Sequence, residues 1–231
     1  MTERATEIAT GLAQVRQRIV AAMTAAGRDD PVTLVVVTKH FPAADVDALA
    51  ALGVTDVGEN KEQEAREKYA AVARRADLRL HFIGQLQSNK AASVARLADV
   101  VHSVDRVKLV RTLARHRDGP SAPLGVLVQV SLDAGADRGG AAPAAVPALC
   151  DEVAASTTLR LRGLMAVAPR GGDPDPAFAR LREVSDGIRA AHPDATWISA
   201  GMSGDLEAAI RHGATHLRVG TAILGTRLSL G

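Results

Sequence analysis

The chain has 231 residues, a formal net charge of +2 and 47% hydrophobic residues, which supplies one sizeable core rather than two small ones. Its 28 Lys and Arg nearly balance 26 Asp and Glu, and its only aromatic residues are three Phe, one Tyr and one Trp. A scattered, slight basic excess without stacking aromatics argues against nucleic-acid binding.

The first predicted element is a helix over residues 2 to 26, where Ile8, Leu12, Val15 and Ile19 recur at helical spacing and Gly27 stops the pattern. Its charges are unlike a signal peptide, and no apolar run in the chain approaches the roughly 18 residues of a membrane span. A single cysteine, Cys150, excludes an internal disulfide and suits a reducing compartment. It lies in an apolar helical pattern and reads as a small buried hydrophobe. The expectation is a cytoplasmic protein with no membrane partner.

From residue 32 a strand-then-helix rhythm sets in. VTLVVVTK (32–39) reads as a strand and AADVDALAAL as a helix closed by Gly53. VTDVG precedes the charged helix ENKEQEAREKYAAVARRA, LRLHFIG precedes NKAASVARLA, and DVVHSV precedes DRVKLVRTLARHR. The second half repeats the order with PLGVLVQVS and PAAVPALCDEVAAS, LRLRGLMAVA and PAFARLREVSDGIRAAH, ATWIS and GDLEAAIRHG, ATHLRVG and TAILG. Such alternation implies parallel strands covered by helices. Eight units favour a closed α/β barrel of the (β/α)8 TIM type with an extra N-terminal helix, one domain across residues 1–231. An open doubly wound sheet is the alternative, disfavoured because no Gly-rich fingerprint follows the first strand.

In a barrel, reactive groups sit where strands end. The candidates in chain order are Lys39, Glu59 and Asn60, the segment GQLQSNK (84–90), Asp105 and Arg106, Asp137 and Arg138, Met165, Ser199 to Asp205, and Gly220 with Thr221. Lys39 is either a solvated charge at a rim, a partner for an anionic ligand, or a partly desolvated amine able to attack a carbonyl. SAGMSGD and RVGT place Gly201, Ser203, Gly204, Gly220 and Thr221 just ahead of helices after strands seven and eight. Loops in those two places often bind phosphate, through backbone N–H groups and hydroxyls. A carbonyl-trapping lysine and a phosphate cradle on neighbouring strands describe pyridoxal 5′-phosphate. Arg218, two residues before Gly220, faces inward by alternation and either meets the pyridine nitrogen or pairs with an acid on a neighbouring strand.

The segments VVVTKHFP, VGENKEQEAREK, HFIGQLQSNK, VHSVDR, LRLRGLMAVA, GMSGDLEAAI and LRVGTAILGTR cover nearly the whole chain. In that order they resemble the YggS/PROSC family of pyridoxal-phosphate homeostasis proteins, whose barrel is similar to the N-terminal domain of alanine racemase. The resemblance implies that Lys39 holds the cofactor as an internal aldimine. It further implies that Ser203, Gly204, Gly220 and Thr221 bind the phosphate, that Arg218 faces the pyridine nitrogen, and that Asn60 and Met165 lie at the pocket. His81, Gln85 and Asn89 are expected to shape its surroundings. The chain departs from the family at Arg138, where a lysine is usual, and at Gly204, where a polar residue is usual.

The expected function is a pyridoxal-phosphate carrier or regulator that serves cofactor-requiring apo-enzymes, acting as a monomer, with no catalytic and no metal-binding residue assigned. The alternative is a pyridoxal-phosphate-dependent racemase. A two-base racemisation needs acid/base groups on both faces of the cofactor. The lone tyrosine, Tyr69, is expected inside a helix away from the mouth, and only about ten residues follow the last strand. A phosphosugar-type barrel enzyme using Lys39 would explain the phosphate loops but not Arg218.

Overall fold

A computed structural model describes residues 2–117, 122–132, 139–169 and 171–226. Asp137 and Arg138 lie outside the described residues.

The eight expected strands form: β1 (Thr33–Val37), β2 (Asp56–Glu59), β3 (Arg79–Phe82), β4 (Val100–Val104), β5 (Leu124–Gln129), β6 (Leu159–Met165), β7 (Trp197–Ser199) and β8 (His216–Val219). All pair in parallel in chain order, and β8 returns to β1 with Val35 opposite Arg218, so the barrel is closed. Between them run α2 (Ala43–Ala51), α3 (Glu62–Ala71), α4 (Ala91–Leu97), α5 (Val107–Arg115), α6 (Val146–Ala154), α7 (Asp175–Ala191) and α8 (Leu206–Arg211), with α9 (Thr221–Leu224) after the last strand. The open-sheet alternative is thereby excluded.

Half of the strand residues are Val, Leu or Ile, because a parallel strand packs helices on one face and the barrel interior on the other. Each helix buries one apolar stripe against the sheet, as Leu109, Val110 and Leu113 do in α5. The charged segment after β2 is helical only to Ala71, and Arg75–Asp77 forms a separate 3₁₀ turn before β3.

The N-terminal helix α1 (Glu3–Ala25) buries Ile8, Leu12, Val15 and Ile19 against α8, α9 and α2. Two of its arginines reach the loops at the carboxyl ends of β7 and β8. Arg18 donates to the Ser203 carbonyl (3.0 Å) and pairs with Glu207. Arg4 donates to the Leu224 carbonyl (3.0 Å) and pairs with Asp45. The extra helix thus braces the two loops that the sequence marks as a phosphate cradle.

Candidate cofactor site

The strand β1 stops at Val37, and Lys39 occupies a turn rather than the last strand position expected from VTLVVVTK. The Phe41 N–H bonds the Thr38 carbonyl (3.1 Å), and His40 has φ +70°, the left-handed third position that a type II turn requires. Helix α3 fixes this turn from below. The Lys68 ammonium donates to the Thr38 carbonyl (2.7 Å), to Glu59 Oε1 (2.7 Å) and to Glu64 Oε1 (3.0 Å), while Glu64 also accepts the His40 N–H. Thr38 Oγ1 donates to Glu59 Oε1 over 2.6 Å. With both flanks of Lys39 tied down, its side chain is directed into the mouth of the barrel.

Glu59, read from sequence as a strand-end candidate, therefore supports the site from outside it. It is wholly buried, and burial raises its pKa although Lys68 and Thr38 oppose the shift. Tyr69 lies nearer to the lysine than its helical position promised. Its hydroxyl is 3.4 Å from Thr38 Oγ1, and burial pushes its pKa upward. It remains under the turn and does not line the mouth.

The cavity at the mouth has a volume of about 400 Å³, within the ordinary range for small-ligand pockets. Lys39, Asn60, Ser203, Gly204, Arg218, Gly220 and Thr221 all line it. Met165 does not; it is buried deeper, packed with Val100 and Leu127. Val167, two residues further and so on the same face, lines the cavity instead, and period-2 alternation could have pointed to it. Met202, within the candidate span Ser199 to Asp205, also lines it, as do His40, Phe41 and Ile83, which were not expected.

At the cradle, Ser203 Oγ and Thr221 Oγ1 stand 3.2 Å apart. Asp205 accepts the Met202 N–H (2.6 Å) and shapes the loop after β7. Among the described residues, the N–H groups of Ser203, Gly204, Thr221 and Ala222 meet no protein acceptor. Two hydroxyls and a set of free N–H groups from adjacent strands provide donors for an anion.

The HFIGQLQSNK segment divides. Gly84 is required by contact, since a Cβ there would meet the Asn60 carbonyl oxygen at 2.1 Å, and this close approach positions Asn60. Gln85 and Asn89 are exposed and outside the cavity. Asp105 pairs with Arg106, and its other oxygen accepts the Gly140 N–H (3.3 Å), which ties two loops together away from Lys39.

His81 has a different place: it is fully buried inside the barrel, within a chain of hydrogen bonds that begins at the cavity. Arg218 donates through Nη1 to Ser199 Oγ (2.6 Å) and through Nη2 to the Ala166 carbonyl (3.0 Å). Ser199 Oγ lies 2.9 Å from His102 Nδ1, His102 Nε2 lies 2.8 Å from His81 Nδ1, and His81 Nε2 lies 2.8 Å from Asp56 Oδ1. The ionised Asp56 only accepts, so His81 donates to it through Nε2 and, being neutral, accepts at Nδ1 from His102 Nε2. His102 then accepts at Nδ1 from the Ser199 hydroxyl, whose oxygen also accepts from Arg218. Burial lowers both histidine pKa values, that of His102 strongly with help from neighbouring His81 and Arg218. Burial opposes the Asp56 charge, yet the bonds from His81 and Thr55 leave its pKa lowered.

Among the described residues Arg218 has no carboxylate partner, which removes the buried ion pair considered from the sequence. Burial pulls its pKa to about 10, so the guanidinium stays charged at neutral pH. Lys39 likewise has no ion-pair partner among the described residues. The cavity gathers two cations and free donors, with no described carboxylate at its lining.

Residues 11–228 match the family model of the alanine racemase N-terminal domain. A pyridoxal phosphate homeostasis protein of Mycobacterium tuberculosis is 44% identical, over 97% of this chain and 95% of its own length. One from Pseudomonas aeruginosa is 45% identical, over 95% and 96%. PipY of Synechococcus elongatus, solved with pyridoxal phosphate bound, superposes with a TM-score of 0.83 at 33% identity, covering 94% of this chain and all of that one. Alanine racemase from Corynebacterium glutamicum shares the fold with a TM-score of 0.69 at 14% identity, this chain covering 62% of it. A closed barrel with a lysine turn after β1 and donor loops after β7 and β8, matched along nearly its full length by these relatives, belongs to the pyridoxal phosphate homeostasis protein family, within the alanine racemase N-terminal domain family.

Proposed function

We propose that this protein binds pyridoxal 5′-phosphate covalently through the Lys39 amine and holds it for cofactor-requiring apo-enzymes rather than turning over substrates of its own. The observation that carries this reading is the cavity in which Lys39 and the carboxylate-free Arg218 meet the donors of Ser203, Gly204, Gly220 and Thr221. When bound, pyridoxal phosphate supplies an aldehyde that condenses with amines and a ring that can take up electrons. The chain's own residues would bind its phosphate at the β7 and β8 loops and present the Arg218 guanidinium to the ring nitrogen. Asn60, at the cavity lining, would border the ring, and Met165 would support the pocket through Val167, which packs against it.

Two features favour holding over conversion. Arg218 donates and cannot accept, so a ring nitrogen facing it stays unprotonated, and an unprotonated ring is a weaker electron sink. Tyr69, the lone tyrosine, is 5% exposed and directed at Thr38 rather than into the cavity, so it offers no second base. We further propose that the chain works as a single cofactor-binding domain and as a monomer in the cytoplasm. No helix among the described residues is long and apolar enough to cross a membrane.

The test is borohydride reduction after incubation with pyridoxal phosphate, followed by peptide mass analysis. The reduced cofactor should be fixed on the Lys39 peptide and absent from Lys39→Ala. Label distributed over other lysines, or none at all, refutes the covalent assignment. Racemisation of alanine or serine at rates of about 1 per second or more would refute the holding role while leaving the site intact.

A further inference from the structure

A cavity of about 640 Å³, larger than the one holding Lys39, opens at the opposite end of the barrel, where β1, β3, β7 and β8 begin. Its lining includes Arg28, Arg79, Arg182, Arg189 and Arg211, and among the described residues Asp30 is its one carboxylate. Two of these arginines are structurally committed: Arg28 holds the Ile210 and Ala214 carbonyls and pairs with Asp30, and Arg211 pairs with Asp175. Arg182 pairs with the exposed Asp186 through Nε alone, which leaves its Nη groups without a partner among the described residues. The other two are under-compensated: Arg79 approaches Asp56 only to 3.4 Å, and Arg189 has no ion-pair partner among the described residues.

Positive charge accumulates just behind this lining. The Arg162 guanidinium lies 5.0 Å over the Trp197 ring, with its Nε buried and without an acceptor. Burial, Arg160 and Arg79 together lower its pKa, against a smaller opposing effect of Asp194. His216 adds no charge at neutral pH, since burial and its neighbours push its pKa to about 3. Gly213, at φ +85°, leaves room for Arg182: a Cβ there would meet Arg182 Nη1 at 2.4 Å. A concave surface lined mostly by one sign of charge focuses its field on a counter-charge.

We propose that this lower mouth binds a small phosphorylated anion, gripped by Arg79, Arg182 and Arg189 with the hydroxyls of Thr33 and Thr196. Guanidinium forks match phosphate oxygens in pairs. A cavity of this volume fits an organic ligand rather than a bare ion. Thr33 and Thr196 line it at the starts of β1 and β7, and their hydroxyls are uncommitted among the described residues. The site is separated from Lys39 by the length of the barrel and does not depend on the cofactor assignment.

Trp197 is the chain's one tryptophan and lines this cavity, so its fluorescence reports the site. The full-length protein should show a saturable change with inorganic phosphate, pyrophosphate or ATP below ~1 mM, and none with chloride at the same ionic strength. Arg182→Gln combined with Arg189→Gln, both on the exposed face of α7, should weaken the response about tenfold or more with an unchanged circular dichroism spectrum. Absence of a saturable change with all three phosphate probes, an equal response to chloride, or wild-type affinity in the double variant would each overturn the proposal.

Discussion

Arg218 Nη1 donates to the Ser199 hydroxyl over 2.6 Å, and this bond joins the cavity to a proton order that Asp56 fixes at the far end of the chain through His81 and His102. With Asp56 accepting and both histidines neutral, one arrangement gives every link a donor and an acceptor. The interior of the barrel is thus polar along one path and apolar around it.

Ser199→Ala removes the acceptor of a buried charged donor and the donor to His102. An unsatisfied buried group costs about 1–3 kcal/mol, so the urea midpoint should fall accordingly. The absorption of the bound cofactor should shift as well, because Arg218 loses one of its two anchors and keeps only the Ala166 carbonyl. Unchanged stability and spectrum would show that Ser199 does not hold Arg218.

Stability should depend on pH through His81, His102 and His216. Burial lowers all three pKa values below the ordinary 6.5, that of His216 to about 3. Below pH 6.5 the unfolded chain takes up protons that the folded chain refuses, so stability falls with pH by about 1.4 kcal/mol per unit for each histidine until its folded pKa is reached. The lowered pKa of Asp56 acts in the same sense at lower pH: its contribution is present above the ordinary carboxylate value and is lost as pH falls through the folded one. Urea unfolding at about pH 7.5, 6.5 and 5.5 should give a plateau followed by a steep loss; equal midpoints at all three would contradict this.

Lys68→Met leaves Glu59 buried without its cation and the Thr38 carbonyl with the Phe41 N–H as its remaining donor. Removing one member of a buried pair costs about 3–5 kcal/mol. The variant should melt lower and also label more slowly at Lys39, since the turn loses its brace. Full labelling rate in a destabilised variant would separate the two roles.

Ser203→Ala with Thr221→Val deletes both hydroxyls of the cradle while keeping its backbone donors. Hydrogen bonds to charged groups contribute about 1.5–3 kcal/mol each, so pyridoxal phosphate affinity should drop on the order of 10- to 100-fold for each one lost. Equilibrium dialysis reads this directly, and pyridoxal without phosphate should bind both proteins alike.

Much of this was legible because barrels place chemistry at strand ends, and the alternation of elements located those ends within a few residues. Lys39, Ser203, Gly220 and Thr221 were found from position alone. The Arg218–Asp56 chain was not: its members sit on five different strands, and partners such as His102 and Ser199 are brought together only when the barrel closes. His81, expected to shape the cofactor's surroundings, reaches the cavity only through His102, Ser199 and Arg218. Met165 lies one alternation deeper than Val167, the residue on the same face that reaches the cavity. The lower mouth was invisible for a related reason, since its arginines come from a loop, a strand start and two helices that no local motif connects.

The pairing of β1 with β8 has a temporal side. Lys39 is made early in synthesis, while Ser203, Arg218 and Thr221 emerge close to the end, and the ladder from Thr33–His216 to Val36–Val219 joins the two. A ligand gripped at both ends can be retained only by a chain whose last strand has docked. Retention of the cofactor would therefore report completed folding, and a truncated or half-made chain would have the lysine without the means to keep what it captures.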